Sequence, residues 1–206
     1  MSDSGADTTE KNPSLSSYYV GDDFYQALVG GFTGWQTDAR EVTDPALRDS
    51  CRRLVEKEAR LLDQVALDAG NLDKWLALFA PECVYWVPAT PNGGDPRREI
   101  AISFDDRRRL EDRVFRLKSD YAWSQNPRSR TARLVSNVSV FSTDDAAVFM
   151  IRSTFLTTEF QAGDKRVYTG WTGHRVRETK DGWEILVKQI NLIDCDQNLR
   201  NPSIVL

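Results

Sequence analysis

Between residues 132 and 193, four stretches rich in Val, Ile, Thr, Phe, Tyr and Trp follow one another with short polar breaks, and no other feature limits the fold so tightly. The stretches are residues 132 to 141, about 146 to 160, about 165 to 178 and 183 to 193; the breaks are Asp144-Asp145, Gly163-Asp164 and Asp181-Gly182. Turn residues between consecutive strands predict an antiparallel meander. Several stretches exceed the usual strand length of about five or six residues, which favours a strongly twisted, curled sheet.

The first half of the chain reads differently. Thr43 or Asp44 suits a helix cap and Pro45 the first helical position. Leu47, Cys51, Leu54, Val55, Leu61, Leu62 and Val65 then recur with helical period until Gly70. Asn71 is the expected cap of a second, short helix through Leu72, Trp75, Leu76 and Phe79, which Pro81 stops. The run "CVYWV" predicts a strand closed by Pro88. Residues 21 to 42 mix Phe24, Tyr25, Phe32 and Trp35 with Gly30, Gly31 and Gly34 and yield no element. Residues 1 to 20 are polar and are expected to be a flexible tail or an arm lying on a partner. Helices first and curled antiparallel sheet afterwards give an α+β class, with residues 21 to 206 as one domain.

The segment "SFDDRRRLEDRVFRL", residues 103 to 117, carries Arg107, Arg108, Arg109, Arg113 and Arg116. Its acids lie at helical spacing from its arginines, as in Asp105 with Arg109 and Asp112 with Arg116. Leu110, Val114 and Leu117 supply an inward stripe. The segment therefore reads as an amphipathic helix with a heavily charged face. With 27 Lys and Arg against 31 Asp and Glu, the net charge of −4 offers no general attraction to a phosphate backbone, which disfavours a nucleic-acid site. A solvated face and a protein interface both remain open.

No run approaches the roughly 18 apolar residues of a membrane helix, and the N-terminus lacks the pattern of a secretory signal, so a cytoplasmic, non-membrane protein is expected. Cys51, Cys83 and Cys195 are widely spaced and read as reduced thiols. His174 is the one histidine. A Rieske cluster needs two cysteines and two histidines, and a facial iron site two histidines and a carboxylate, so this chain by itself builds neither. No phosphate-binding glycine loop and no nucleophile elbow occur. Asp63 with Asp68, and Asp194 with Asp196, are acid pairs of unknown burial, and Trp75, Tyr85, Trp86, Tyr121 and Trp123 suit either a core or a ligand cavity.

Four blocks in order, "WLALFAPECVYWVPA", "ISFDDRRRLEDRVFRL", "AWSQNPRSRTARLVSNV" and "DGWEILVKQINLID", resemble the small (β) subunit of bacterial Rieske-type aromatic-ring-hydroxylating dioxygenases. The most specific part is D-D-R-x-x-L-E-D-R-V-x-R-L with W-S-x-x-P-x-S-R and V-S-N-V close behind, and the likeness covers about residues 45 to 206. It implies a curved antiparallel sheet closed by helices into a cone, of the nuclear-transport-factor-like or cystatin-like kind. It also implies a structural subunit, with no catalytic, cofactor or metal residue of its own, that assembles with and stabilises a large (α) subunit for dihydroxylation of an aromatic compound. The Rieske [2Fe-2S] cluster and mononuclear non-haem iron then belong to the α subunit, in a hexamer of three α and three β chains. Under this resemblance Arg107, Arg109, Arg113, Arg128 and Arg130 are expected to pair with acids within the subunit and across an interface, with Trp123 as an apolar anchor.

The same fold also houses dehydratases, isomerases and cyclases that move protons inside the cone, so fold alone leaves that alternative open. For this sequence the available set is His174 with Tyr85, Tyr168 or Asp63.

Overall fold

A computed structural model of the chain describes residues 21–119, 122–199 and 202–206, so the expected tail of residues 1 to 20 lies outside the described residues. The elements are α1 (Asp22–Gly31), α2 (Pro45–Asp63), α3 (Asn71–Leu76), β1 (Phe79–Pro88), β2 (Ala101–Asp106), α4 (Arg107–Lys118), β3 (Arg130–Ser142), β4 (Val148–Gln161), β5 (Asp164–Thr179) and β6 (Gly182–Leu192), with short 3-10 turns at Asp38–Arg40 and Trp123–Gln125.

Asp44 caps α2, its carboxylate accepting from the Ala46 and Leu47 amides at 3.3 and 3.1 Å. Cys51, Leu54, Val55 and Leu62 form the buried stripe of this helix, and Glu58 falls in the same stripe. The helix stops at Asp63, short of Gly70, and Thr131 and Arg133 on β3 take the Asp63 carboxylate there. Asn71 begins α3 rather than capping it; its amide donates back to the Asp68 carbonyl at 3.0 Å, within the turn.

The arginine segment is strand over residues 103 to 106 and helix from Arg107 onward, with its five arginines on α4. Asp105 ends inside the β1–β2 ladder opposite Tyr85, and Asp106 caps α4 through the Arg109 amide at 2.9 Å. The expected Asp105–Arg109 helical pair is therefore not made. A strand residue and a helix residue four apart do not share a face, and Asp105 bonds Arg113 instead.

The sheet order is β2-β1-β6-β5-β4-β3. The meander β3 to β6 is antiparallel throughout, with strands of 13, 14, 16 and 11 residues. One ladder departs from the expectation: β1 lies parallel to β6, so the sheet is mixed and has open edges at β2 and β3. A parallel neighbour requires a long crossover, here everything from β2 to β5. Gly170 permits a close approach in this region, since a Cβ there would meet the Asn191 carbonyl oxygen at 1.9 Å.

Strand β1 is buried on both faces. Cys83, Tyr85 and Val87 enter the main core with α2, α3 and α4, whereas Val84 and Trp86 pack with Leu28 of α1 on the other side. Helices thus cover both faces at this end, α2, α3 and α4 on one and α1 on the other. On β3, β4 and β5 that second face is covered by Phe32 and Trp35 at Phe141 and Met150 but bare farther along: Leu134, Leu156, Phe160 and Val167 are exposed there, with Leu134 directly opposite Leu156. Among the described residues no helix is long and apolar enough to cross a membrane.

Candidate functional site

The six residues expected at an interface divide into two groups. Arg107 is held inside: it bonds Glu111 at 2.9 Å and the Leu76 and Phe79 carbonyls at 3.1 and 2.9 Å. Arg113 lies against Asp105 and donates to Ser103 at 2.8 Å, and Arg128 donates to the Leu117 carbonyl at 3.1 Å. These three pin α4 and the loop after it to the strands. Arg109 spends one N–H on the Phe104 carbonyl at 3.1 Å but is exposed. Arg130 lies 4.9 Å over the Phe160 ring, and Trp123 is 81% exposed. Arg109, Trp123 and Arg130 therefore remain on the outer surface.

Inside the sheet's curve lies a buried ionic network. Glu58 on α2 accepts from Trp75 Nε1 at 2.9 Å, Lys188 Nζ at 2.8 Å and His174 Nε2 at 2.9 Å. An ionised carboxylate only accepts, so the His174 Nε2 nitrogen carries the hydrogen. Burial alone would raise the Glu58 carboxyl, but the Lys188 ammonium and the hydrogen bonds outweigh it and hold it well below the usual carboxylate range. Burial also pulls the Lys188 ammonium downward, an effect Glu58 opposes. Lys188 further donates to the Leu206 carbonyl at 2.9 Å. A cavity of about 30 Å³ adjoins the network, large enough for water and too small for an aromatic ring.

The set proposed for proton transfer does not converge. Asp63 is engaged by Thr131 and Arg133, Tyr85 by the backbone of Leu206, and Tyr168 by Glu159 at 3.0 Å, a second buried carboxylate that Ser129 also contacts. His174 and Tyr168 thus reach different acids, and the one at His174, Glu58, is already occupied by two other donors. Burial pushes the Tyr85 and Tyr168 hydroxyls up, so neither is a ready base. Of the acid pairs, Asp63 is taken up by β3 while Asp68 bonds the Gly70 amide, and Asp194 and Asp196 lie in the turn after β6. Cys51, Cys83 and Cys195 are free and buried, and among the described residues no three His, Cys, Asp or Glu side chains are grouped to hold a metal ion.

The family described as "Ring hydroxylating beta subunit" matches residues 57–197, about two thirds of the chain. The chain belongs to this family. The p-cumate 2,3-dioxygenase small oxygenase component of Pseudomonas putida is 34% identical over 69% of this chain and 77% of its own length. Among solved structures, the β subunit of the Burkholderia mallei benzoate 1,2-dioxygenase is 26% identical, covers 73% of this chain and 91% of its own, and superposes with a TM-score of 0.59. A naphthalene 1,2-dioxygenase chain superposes with a TM-score of 0.68 at 18% identity over 91% of this chain and 95% of its own, a likeness of fold.

For a ring-hydroxylating β subunit, the interior network is a device of the core. Sequence reasoning named His174 and Trp75 but missed Glu58 and Lys188. The signal was present: Glu58 interrupts the apolar stripe of α2, and Lys188 interrupts "EILVKQINL", so each places a charge where the pattern demands burial. Two such interruptions of opposite sign are the mark of a buried pair.

Proposed function

We propose that this chain is the structural β subunit of an aromatic-ring-hydroxylating terminal oxygenase, assembling in the cytoplasm with an α subunit that carries the Rieske cluster and the mononuclear iron, three α with three β. The family match over residues 57–197 carries this reading. The donor set supports it: one histidine bound to Glu58 and three separate buried thiols leave the chain dependent on another for redox chemistry. The uncovered apolar band of Leu134, Leu156, Phe160 and Val167, flanked by Arg130, supports an assembly surface, since patches of this kind mark contacts with other chains. Residues 21 to 206 act in this reading as one folded unit, with Arg109, Trp123 and Arg130 at the contact and Arg107, Arg113 and Arg128 shaping the helix that presents it.

The test is co-expression of the tagged chain with the oxygenase α gene from the same source, followed by mass and iron analysis. An iron-containing assembly with a larger cysteine- and histidine-rich chain is expected. An iron-free monomer or dimer that leaves the α chain behind overturns the reading.

A further inference from the structure

The 30 Å³ cavity beside Glu58 is lined by two side chains with unsatisfied nitrogens. His174 is 2% exposed and its Nδ1 has no hydrogen-bond partner among the described residues. The Arg133 side chain is 6% exposed, and its Nε is likewise without one. With Nε2 donating to Glu58, a neutral His174 ring offers Nδ1 as an acceptor, while Arg133 Nε–H is a donor. Both residues line the same water-sized cavity, so a hydroxyl group, which donates and accepts at once, matches the chemistry of the pair. The fixed charges are already balanced, Glu58 by Lys188 and Asp63 by Arg133, so an added anion would be uncompensated where a neutral group is not. Apolar side chains, Val55, Val135 and Phe155 among them, complete the wall.

The segment 202–206 reaches this cavity through Leu206. Residues 202–206 belong to no ladder and are held by side chains: Tyr85 OH accepts from the Leu206 amide at 3.0 Å, Lys188 bonds the Leu206 carbonyl, Arg133 the Val205 carbonyl and Gln125 the Ser203 hydroxyl at 2.9 Å. Leu206 lines both the cavity and an open groove of about 950 Å³ on the far side of the segment. Its side chain is part of the wall that a larger guest would displace to extend from the cavity toward the groove.

We propose that this cavity is a binding site for a small neutral hydroxylated ring, a phenol in the simplest case, whose hydroxyl lies between His174 Nδ1 and Arg133 Nε and whose ring replaces the Leu206 side chain when residues 202–206 lift. The closed segment competes with the guest, so affinity of the native chain is reduced by the rarity of the lifted state. Nothing in this inference depends on assembly with an α subunit, and failure of either leaves the other standing.

His174 is the one histidine, so the imidazole nitrogen resonances of the full chain are read without assignment. Phenol titrated into the uniformly ¹⁵N-labelled chain is expected to move the Nδ1 signal saturably, with toluene and benzoate at least about tenfold weaker. Leu206→Ala, which removes the competing side chain but keeps the backbone clasps, is expected to bind phenol about tenfold more tightly. Ile204→Ala serves if that variant does not fold: it loosens the same segment without lining the cavity and is expected to tighten binding about threefold. An unmoved Nδ1 signal, toluene or benzoate binding equal to phenol, or no gain in the folded variant overturns the proposal.

Discussion

Replacing Glu58 with Gln keeps the volume and shape of the side chain and deletes its charge, which leaves the Lys188 ammonium buried without a counter-ion. Glu58 and Lys188 are 2% and 5% exposed, so solvent cannot take over the partner's role. Breaking one side of such a pair costs about 3–5 kcal/mol. An independent ceiling follows from proton release: a lysine of ordinary pKa near 10.4 can escape by becoming neutral, which at pH 7 costs about 4.6 kcal/mol. The two figures agree. The ceiling falls by about 1.4 kcal/mol for each unit of pH, to about 2 kcal/mol at pH 9. Urea unfolding of the Glu58→Gln chain at both pH values, followed by tryptophan fluorescence, is expected to show a loss of about 3–5 kcal/mol at pH 7 that shrinks to about 2 kcal/mol at pH 9, with an unchanged m-value. Adding Lys188→Met removes the stranded charge and is expected to restore much of the stability. A loss under about 1 kcal/mol at pH 7, or one equally large at pH 9, refutes the reasoning.

Because the Glu58 carboxyl titrates well below its usual value in the folded chain, its contribution is complete above about pH 4.5 and is lost as pH falls from there toward the folded value; acid unfolding of the Glu58→Gln/Lys188→Met chain is expected to be shallower than that of the wild type, and parallel curves would count against it. Burial pushes the Cys51 and Cys83 thiols up to about 12, so neither is expected to react with iodoacetamide at pH 8 until urea unfolds the chain, and native-state labelling of either would contradict the structure. Gly170→Ala places a Cβ against the Asn191 carbonyl and is expected to cost more than about 2 kcal/mol in urea unfolding or to abolish folding; a neutral result would mean that β5 and β6 are farther apart than described. Leu156→Asp and Trp123→Ala lie on exposed surface and are expected to change stability by less than about 0.5 kcal/mol while weakening α-subunit capture, and full capture by both would remove that surface from the interface.

Much of the fold was legible because its signals are local. The cap at Asp44 and Pro45, the turn residues between the β stretches and the aromatic and β-branched runs named the start of α2 and the four meander strands to within a few residues. The arginine segment was legible as an amphipathic helix from Arg107 onward, but its first four residues are held as strand by the ladder with β1, a partner far enough away that no local pattern reports it. Helix α1 escaped notice because its glycines and aromatics suit no single period; it forms against Val84 and Trp86, on one face of a strand far along the chain. Among the expected contact residues, type alone did not separate Arg107, turned inward onto the Leu76 and Phe79 carbonyls, from Arg130, stacked on an exposed ring.

By itself the sequence determined the α+β class, the meander and, through the order of four motif blocks, the family. It also settled that one histidine and three scattered cysteines build no Rieske cluster, because ligand number is a matter of composition. Tertiary structure alone decided which charges meet. Glu58, His174 and Lys188 are 116 and 130 positions apart along the chain in their two contacts and are brought within 2.8 to 2.9 Å only when α2 lies in the curve of the sheet. Burial then turns three ordinary side chains into a coupled network, since the strength of an ionic contact is set by the surrounding dielectric and geometry, and neither is written in the order of the residues.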